Sequence, residues 1–400
     1  MPWPYVSLEA IARVGAGNSA PQDPRLFVNG TVPFIRTSDV GRVRFGSLDD
    51  AEDWLNAAGA TGLRRWPVGT ILFPKSGAST FLNHRVITEI EACVASHLAT
   101  IVPNLERVDP RFLLYFLRTA DAKELTQDQG YPSLRLPDIG AIRVPLPPLP
   151  EQQRIAAILD EAFEGIAKAM ANAEQNVTNA ENIFLGYLNS TFTDLAAHTP
   201  SMSLSQIGIT QTGSTPRTAL PGLKGCAIPF IKPGDFRPDG TLDYENEGLS
   251  EQGRAAARIV PAGSALMVCI GATIGKSGYA DRDITTNQQI NSVSPRPGVS
   301  GRFLYHQMRT LRFQMAVIEG AGQATLPIIN KTKWSALPVL VPAGLEEQEA
   351  IADRLDELRT ATDELVVKQR AKLTALSELR TSLLHRAFSG QLTNTSPVAA

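Results

Sequence analysis

The segment GATIGKS, Gly271–Ser277, combines glycines, lysine and serine in a way that could bind phosphate. A P-loop needs four residues between its first glycine and the Gly-Lys pair, so that backbone N–H groups can surround the phosphate. Only the three residues Ala272–Ile274 intervene here. The similar segment FPKSG, Phe73–Gly77, keeps Lys-Ser but lacks the first glycine. The spacing therefore argues against ATP hydrolysis by this chain.

The residue types that bind metals or act as nucleophiles are scattered along the chain. No HxxxH, HExxH or CxxC pattern occurs, so metal catalysis has no ligand set with a familiar spacing. No Asn-Pro-Pro-aromatic tetrapeptide of an amino-methyltransferase is present either, and no glycine-rich turn fits an S-adenosylmethionine site. We therefore expect a non-catalytic chain that binds no metal or cofactor of its own. The residues concerned are His84, His97, His198, His306, His385, Cys93, Cys226 and Cys269.

Length and composition are those of a soluble protein with more than one domain. The chain has 400 residues, is 43% hydrophobic and has a formal net charge of −2. Two or three domains are expected at this length. No apolar run approaches the roughly 18–20 residues of a membrane span, and the first residues lack a signal-peptide pattern. We expect a cytoplasmic protein without a membrane partner.

Charge is unevenly distributed along the chain. Residues 195–340 carry 14 Lys and Arg against 9 Asp and Glu, whereas residues 151–194 carry 2 against 7. A surface that binds nucleic acid in one part and protein in another has such a distribution. Many enzymes share it, so the charge alone does not select a function.

The sequence repeats itself with a period of about 195 residues. Four phrases recur in the same order: VPFIRTSDV as IPFIKPGDF, WPVGTILFPKSGA as VPAGSALMVCIGATIGKSG, RFLLYFLRT as RFLYHQMRT, and LPPLPEQQRIAAILDE as LVPAGLEEQEAIADRLDE. A repeat of this length indicates two domains rather than a solenoid. We predict domains at 1–150 and 195–345, each followed by a helical segment, at 151–194 and 346–390, with a flexible tail at 391–400.

Each domain mixes short β-type runs with one amphipathic helix, which predicts an α/β fold. The segments that follow are proline-free and have apolar residues at alternating steps of four and three, the pattern of a coiled coil. Forty-two helical residues would span about 63 Å, which favours two helices packed on each other, with a single long surface helix as the alternative. The first set of seam positions is Ile155, Leu159, Ala162, Ile166, Ala169, Ala173, Asn176, Ala180, Ile183 and Tyr187.

Two α/β domains, each followed by a proline-rich elbow, Glu-Gln and a long helix, resemble the specificity subunit of type I restriction-modification systems. The resemblance covers essentially the whole chain and is most specific at VPLPPLPEQQRIAAILDE and its copy. GSTPR at Gly213–Arg217 and GNSAPQ at Gly17–Gln22 resemble the openings of that family's target-recognition domains. The second elbow departs from the family phrase, because Ala343-Gly344 stands where Pro-Leu is usual.

The resemblance implies a fold and a set of partners. The fold would be two α/β target-recognition domains in a tandem pseudo-twofold repeat, separated by two long antiparallel coiled-coil helices. Each domain would bind one half of a bipartite, asymmetric target in double-stranded DNA. The helices would fix the half-site spacing and dock two copies of a DNA adenine methyltransferase subunit, possibly joined by restriction or translocase subunits. S-adenosylmethionine, ATP and Mg²⁺ would bind to those partners.

Base recognition uses Arg and Lys for guanine and Asn and Gln for adenine, while hydroxyls and cations bind phosphates. An ordinary solvated side chain or turn former is the alternative role for every candidate. Turn capping is the expected role of Asp39 and Asp235, which follow matched strands. The DNA-binding candidates are Arg36, Thr37, Ser38, Lys75, Ser76 and Arg85 in the first domain, and Arg217, Lys232, Lys276, Ser277, Asn287 and Gln288 in the second.

A second class of function also fits the repeat. A non-catalytic coiled-coil scaffold, with duplicated domains that bind proteins or small ligands, would have the same architecture. The basic excess of residues 195–340 and the repeated Lys-Ser segment favour DNA, whereas the neutrality of residues 1–150 favours the scaffold.

Overall fold

A computed structural model describes residues 3–125, 132–216, 222–322 and 326–393. The chain divides into two compact units within its long helices: residues 1–171 with 373–400 form unit 1, and residues 172–372 form unit 2. In the part of the chain that is described, no helix has the length and apolar character needed to cross a membrane.

Unit 1 contains three sheets. A five-stranded sheet has the order β2-β10-β7-β8-β4, a four-stranded sheet the order β5-β3-β9-β6, and β1 pairs with β11. The strands are β1 (Tyr5–Ser7), β2 (Ala12–Ala16), β3 (Val32–Ile35), β4 (Phe45–Leu48), β5 (Asp53–Leu55), β6 (Arg65–Trp66), β7 (Ile71–Pro74), β8 (Arg85–Thr88), β9 (Ala92–Val94), β10 (Leu98–Pro103) and β11 (Arg143–Pro145). The helices are α1 (Thr37–Val43), α2 (Ala57–Ala60), α3 (Pro110–Thr119), α4 (Ala122–Leu125), α5 (Leu136–Gly140) and the start of α6 (Leu149–Ala196).

Unit 2 has the same plan. Its sheets have the orders β13-β20-β17-β18, β15-β14-β19-β16 and β12-β21, so the described residues contain no counterpart of β4. The strands are β12 (Ser201–Ser203), β13 (Gly208–Thr212), β14 (Lys224–Ile231), β15 (Gly248–Leu249), β16 (Ile259–Val260), β17 (Ala265–Val268), β18 (Ser277–Tyr279), β19 (Ile284–Thr286), β20 (Ile290–Pro295) and β21 (Pro338–Leu340). The helices are α7 (Leu204–Ile207), α8 (Glu251–Ala256), α9 (Gly301–Met308), α10 (Leu311–Ala321), α11 (Lys331–Ser335) and α12 (Leu345–Phe388).

The long helices α6 and α12 run in opposite directions within each unit. In unit 2, the Arg359 guanidinium lies 5.2 Å from the Phe184 ring. Later residues of α6, such as Asp194, line one cavity with earlier residues of α12, such as Glu347. In unit 1, the end of α12 packs near the start of α6, as shown by Phe388 and Ile155, which belong to the same buried cluster. The expected antiparallel helix pair is therefore present.

The predicted seam of α6 is correct at its start and wrong near its end. Ile155 and Leu159 are buried, but Ile183 is 56% exposed and Tyr187 is 40% exposed. The buried positions there are one residue later, at Phe184 and Leu188. A straight α-helix drifts from a strict 3.5-residue repeat. The end of α6 packs into the core of unit 2 rather than along a two-helix seam alone, so that core selects the buried face.

A buried glutamine fastens each long helix to the α/β domain before it. The Gln152 side chain accepts a hydrogen bond from the Asp109 backbone N–H (2.9 Å) and donates to the carbonyls of Arg107 (3.0 Å) and Pro147 (2.9 Å). Its exposed fraction is 0%. One amide thereby joins the start of α6, the elbow and the loop before α3, and satisfies backbone groups that burial would otherwise leave unpaired.

Gln348 makes the same connections in unit 2. Its side chain accepts from the Ser300 N–H (2.9 Å) and donates to the carbonyls of Gly298 (3.1 Å) and Pro342 (2.8 Å). The second elbow keeps this arrangement although Ala343-Gly344 replaces the stiffer pair.

An aspartate about two turns further along each helix makes a second connection. Asp160 accepts from the Tyr115 hydroxyl (2.7 Å) and from Arg111 (2.8 Å). In unit 2, Asp356 is 2.7 Å from His306 Nε2 and accepts from Arg302 at 3.1 Å. Tyrosine and histidine therefore hold equivalent places in the two copies, and only the second connection contains a group that titrates near neutral pH.

Replacing Gln152 by leucine should lower the free energy of unfolding by about 3 kcal/mol, because the Asp109 N–H and two carbonyls lose their buried partner. Urea unfolding of the full chain measures this. Gln153→Leu, at an exposed neighbouring position, should change stability by less than about 0.5 kcal/mol. Equal effects of the two substitutions would contradict the role assigned to Gln152.

Stability should fall between pH 7 and 5 because of His306. Burial lowers the pKa of His306 below its ordinary value of 6.5, with Asp356 opposing and Arg309 and Arg302 adding to the shift. Below that ordinary value the unfolded chain binds a proton that the folded chain resists, so the free energy of unfolding decreases. His306→Gln should remove this pH dependence, because glutamine binds no proton in this range. His198→Gln, at an exposed position, should leave it unchanged; the reverse pattern would contradict the assignment.

Candidate functional site

Four strands of unit 1 end at one place, which we call the first strand-end edge: Ala16 of β2, Ile35 of β3, Pro74 of β7 and Val94 of β9. Backbone hydrogen bonds join the segments that leave these strands. The Ala95 N–H donates to the Ile35 carbonyl (2.9 Å), and the Asn18 N–H donates to Val94 (2.8 Å). The Lys75 N–H donates to the carbonyl of His97 (2.9 Å).

The second strand-end edge repeats this arrangement in unit 2, where β13, β14, β17 and β19 end. The Ser214 N–H donates to the Thr286 carbonyl (2.8 Å), and Asn287 N–H to Ile231 (3.1 Å). The Cys269 N–H donates to the carbonyl of Gln289 (2.7 Å). The Cys269 N–H thus makes the bond in unit 2 that the Lys75 N–H makes in unit 1, and the second edge has no cation at this position.

Glycine is required where the first strand leaves each edge. A Cβ atom on Gly17 would lie 2.0 Å from the Val94 carbonyl oxygen, and one on Gly213 would lie 2.2 Å from that of Asn287. This close approach explains why GNSAPQ and GSTPR both begin with glycine.

Arg36 and Lys232 occupy matched positions after β3 and β14. Arg36 is ion-paired with Asp53, and its guanidinium lies 5.3 Å from the Phe34 ring. Lys232 is ion-paired with Glu247. Both cations are part-exposed, with side-chain exposures of 38% and 43%. They can exchange their carboxylate for another anion only by leaving an existing ion pair.

The turns that carry these cations are held by buried aspartates. Asp39 accepts from the Arg36 N–H (2.8 Å) and the Glu52 N–H (2.9 Å). Asp235 accepts from the Lys232 N–H (2.7 Å) and from the Asn246 amide (2.6 Å). The expected capping role of Asp39 and Asp235 is therefore confirmed.

The other candidates of the first edge differ in accessibility. Ser38 is exposed, and Thr37 and Lys75 are half-buried. Lys75 has no ion-pair partner among the residues described. The Ser76 hydroxyl is 2.7 Å from His97 Nδ1.

Arg85 is not on the accessible surface, contrary to its selection as a DNA-binding candidate. It is 0% exposed, with its guanidinium 3.3 Å from the Phe73 ring. It donates to the carbonyls of His84 (2.8 Å) and Ala120 (3.3 Å). Burial lowers the pKa of Arg85 to about 9. An arginine enclosed in this way supports the fold, and we leave it out of the proposed contacts.

The candidates of the second edge also divide into exposed and buried side chains. Lys276 and Gln288 are exposed, and Gln288 accepts from the Thr215 hydroxyl at 2.6 Å. Ser277 and Asn287 are 8% and 9% exposed. The Ser277 hydroxyl donates to the Gly275 carbonyl (3.0 Å), and the Asn287 amide to Gln289 (2.9 Å). Arg217 lies outside the described residues.

Two arginines that were not among the candidates also contact the strand-end edges. The Arg64 N–H donates to the Asn18 side chain (3.0 Å), and the Arg258 N–H to the Ser214 hydroxyl (3.3 Å). Both side chains are exposed. The signal was available, because RRWPVG and RIVPAG both begin with arginine. These arginines stand two residues before the phrase WPVG and its copy VPAG.

The GATIGKS segment does not have the architecture of a P-loop. It joins β17 to β18, so a strand rather than a helix follows Lys276. Gly271 and Gly275 have φ values of +97° and +90°, which suit the tight turn. The loop therefore lacks the following helix whose N-terminus binds the phosphate in a P-loop.

Each edge can recognise a ligand by hydrogen bonds and charge. Hydroxyl, amide and cationic side chains project from turns that buried hydrogen bonds fix in place. Among the described residues, no group of three or more His, Cys, Asp or Glu side chains could hold a metal ion. The two edges share a backbone arrangement and differ in their side chains.

The chain matches a protein-family model described as "Type I restriction modification DNA specificity domain". The match occurs twice, at residues 1–177 and 201–375.

Two curated relatives carry related descriptions. A putative type I restriction enzyme MjaX specificity subunit of Methanocaldococcus jannaschii is 21% identical over 355 residues, covering 81% of this chain and 79% of the relative. The type I restriction enzyme HindI specificity subunit of Haemophilus influenzae is 26% identical over 194 residues, covering 48% of this chain and 41% of the relative.

Two solved structures have the same fold. One comes from work on complex assembly and conformational transition of the type I R-M system. It has a TM-score of 0.77 at 18% identity and covers 98% of both chains. The other is the HsdS subunit from Thermoanaerobacter tengcongensis, with a TM-score of 0.62 at 18% identity, covering 98% of this chain and 97% of that one.

Proposed function

The chain belongs to the type I restriction-modification DNA specificity family and is a specificity subunit of such a system, and on that premise we propose how it recognises DNA. Each strand-end edge binds one half of a bipartite target in double-stranded DNA. Since the two edges carry different side chains, the two half-sites differ and the target is asymmetric. Family membership favours this function over a scaffold that binds only proteins or small ligands.

The observation that carries the proposal is the equivalence of the two edges. The same four strand ends meet in both units, with an ion-paired cation after the second strand and an exposed arginine beside the first segment. A duplicated surface on one chain can straddle DNA as a symmetric dimer does.

The side chains divide into two proposed roles. Exposed or part-exposed cations without a carboxylate partner, Lys75, Arg64, Arg258 and Lys276, bind phosphates and position the domains. The residues with the second role contact bases: Thr37, Ser38, Ser76 and Gln288, and also Arg36 and Lys232 once they exchange their ion pairs. Arg217 also contacts DNA, whereas Ser277 and Asn287 act through the turns that they stabilise.

The long helices serve as the spacer in this proposal. The buried connections at Gln152 and Gln348 fix each recognition domain to the start of a helix. Helix length then sets the distance between the half-sites. The exposed faces of the same helices dock two methyltransferase subunits, and restriction or translocase subunits join that complex.

The chemistry of the system belongs to those partners. We propose that this chain is not itself catalytic, that S-adenosylmethionine, ATP and Mg²⁺ bind to the partner subunits, and that the complex acts in the cytoplasm. The recognition domains of this proposal are residues 1–150 and 195–345, with spacer helices at 151–194 and 346–390.

Methylation mapping tests the proposal. The chain is co-expressed with a methyltransferase subunit of the same system, and N6-methyladenine is mapped across the host genome. We expect a bipartite motif that is present only when this chain is expressed. No chain-dependent motif, or a motif without two separated halves, would contradict the proposal.

A matched pair of variants extends this experiment. Lys276→Ala should weaken DNA binding several-fold on all sequences, lower the slope of log affinity against log salt by about 1, and leave the motif unchanged. Ser277→Ala should leave the salt slope unchanged, because its hydroxyl is buried on the Gly275 carbonyl. Equal effects would contradict the phosphate contact assigned to Lys276.

A further inference from the structure

Unit 1 contains a cavity of about 620 Å³ where its α/β domain meets α6. Four basic side chains line it: Arg44, His84, Arg118 and Arg380. None of the described residues that line it is acidic. We call it the cationic cavity.

The basic groups of the cationic cavity repel one another. Burial, followed by the charge of Arg380, lowers the pKa of Arg118 to about 10. Burial lowers the pKa of His84, and Arg44, Arg85 and Arg118 lower it further. Neither Arg118 nor Arg380 has an ion-pair partner among the described residues. Part-buried arginines without counter-charges cost free energy unless an anion neutralises them.

The rest of the wall is apolar. Phe163, Ile166 and Met170 of α6 face the cavity, as does Phe45 of β4. The Arg118 guanidinium lies 4.2 Å from the Phe45 ring, so a planar cation already stacks on this wall. Apolar walls with a few placed charges are typical of small-ligand sites, and the volume is in their usual range of roughly 300–1,000 Å³.

The equivalent place in unit 2 has its own acid. From the elbows onward the two copies align with an offset of 196 residues, so that Ala167 corresponds to Asp363. Asp363 is ion-paired with Arg359 at 2.7 Å. The Ala167 side chain lines the cationic cavity and carries no charge. Unit 1 therefore lacks both members of this ion pair, since Phe163 stands in the place of Arg359 and Ala167 in the place of Asp363.

The second cation of unit 2 is also engaged within the chain. Arg309, which corresponds to Arg118, donates to the Tyr305 hydroxyl at 2.5 Å and lies 5.1 Å from the Phe184 ring. At the position that corresponds to Phe184, unit 1 has Arg380 of α12. The exchange adds a cation to unit 1 at the same position where unit 2 has an aromatic ring.

We propose that the cationic cavity binds a small ligand that carries a phosphate on a flat apolar body, such as an aryl phosphate or a nucleotide. The phosphate supplies a counter-charge to Arg118 and Arg380, as Asp363 does for Arg359 in unit 2. The apolar body packs between Phe45 and the α6 side chains Phe163 and Met170. Arg118 and Arg380 contact the phosphate, and Arg44 and His84 close the site from the domain side.

Titration of the purified full chain with 1-naphthyl phosphate, followed by calorimetry at low salt, tests the proposal. We expect one site per chain, with at least tenfold weaker binding of inorganic phosphate and of 1-naphthol. Thymidine 5′-monophosphate tests whether a nucleotide base replaces the naphthyl ring. A short DNA duplex added as competitor distinguishes a free ligand from a phosphate of bound DNA: competition would contradict a free-ligand site.

Two substitutions at one position provide the matched control. Ala167→Asp installs the acid of unit 2 and should weaken 1-naphthyl phosphate binding at least tenfold. Ala167→Asn, similar in size but neutral, should change it less than threefold. Undiminished binding to Ala167→Asp, or no binding to the unaltered chain, would overturn the proposal.

Arg380→Gln provides an independent variant should Ala167→Asp fold poorly. It removes one phosphate contact and one source of repulsion on Arg118. We expect at least fivefold weaker binding with no loss of thermal stability. Unchanged affinity would contradict the role assigned to Arg380.

Discussion

The hydrogen bonds of one buried amide in each copy, Gln152 and Gln348, hold a recognition domain at the start of a long helix. Each amide, carried by the helix, replaces water for backbone groups of the domain and the elbow. Such groups are costly to bury unpaired, so domain and helix cannot separate locally without that cost. The length of a helix can set the distance between two recognition domains only when each domain is fixed rigidly to it.

Both copies keep this glutamine connection, although the residues around it differ. The second elbow has Ala343-Gly344 where the stiffer Pro-Leu is usual, yet Gln348 makes the same three bonds as Gln152. Further along, tyrosine faces Asp160 where histidine faces Asp356, and Ala167 replaces the acid of Asp363. Such differences give two copies of one fold different binding properties.

The sequence predicts those features that repeat or follow a strong period. The duplication, the antiparallel helices and the capping roles of Asp39 and Asp235 follow from matched phrases. It cannot predict Arg85, since an arginine at the start of a strand is enclosed only by long-range packing on Phe73 and Ala120. The predicted buried positions at the end of α6 are also wrong. Residues of the unit 2 core that are distant in sequence bury Phe184 rather than Ile183.

Lengthening the helices tests most directly whether they set the half-site spacing. Seven residues that keep the heptad are inserted after Ala171 and after Lys372, where the two units divide. Each insertion adds about 10 Å of helix, or about three base pairs at ~3.4 Å each. Mapping of N6-methyladenine should show both half-sites unchanged and the spacer longer by about three base pairs. An active complex with the original spacing would contradict the account.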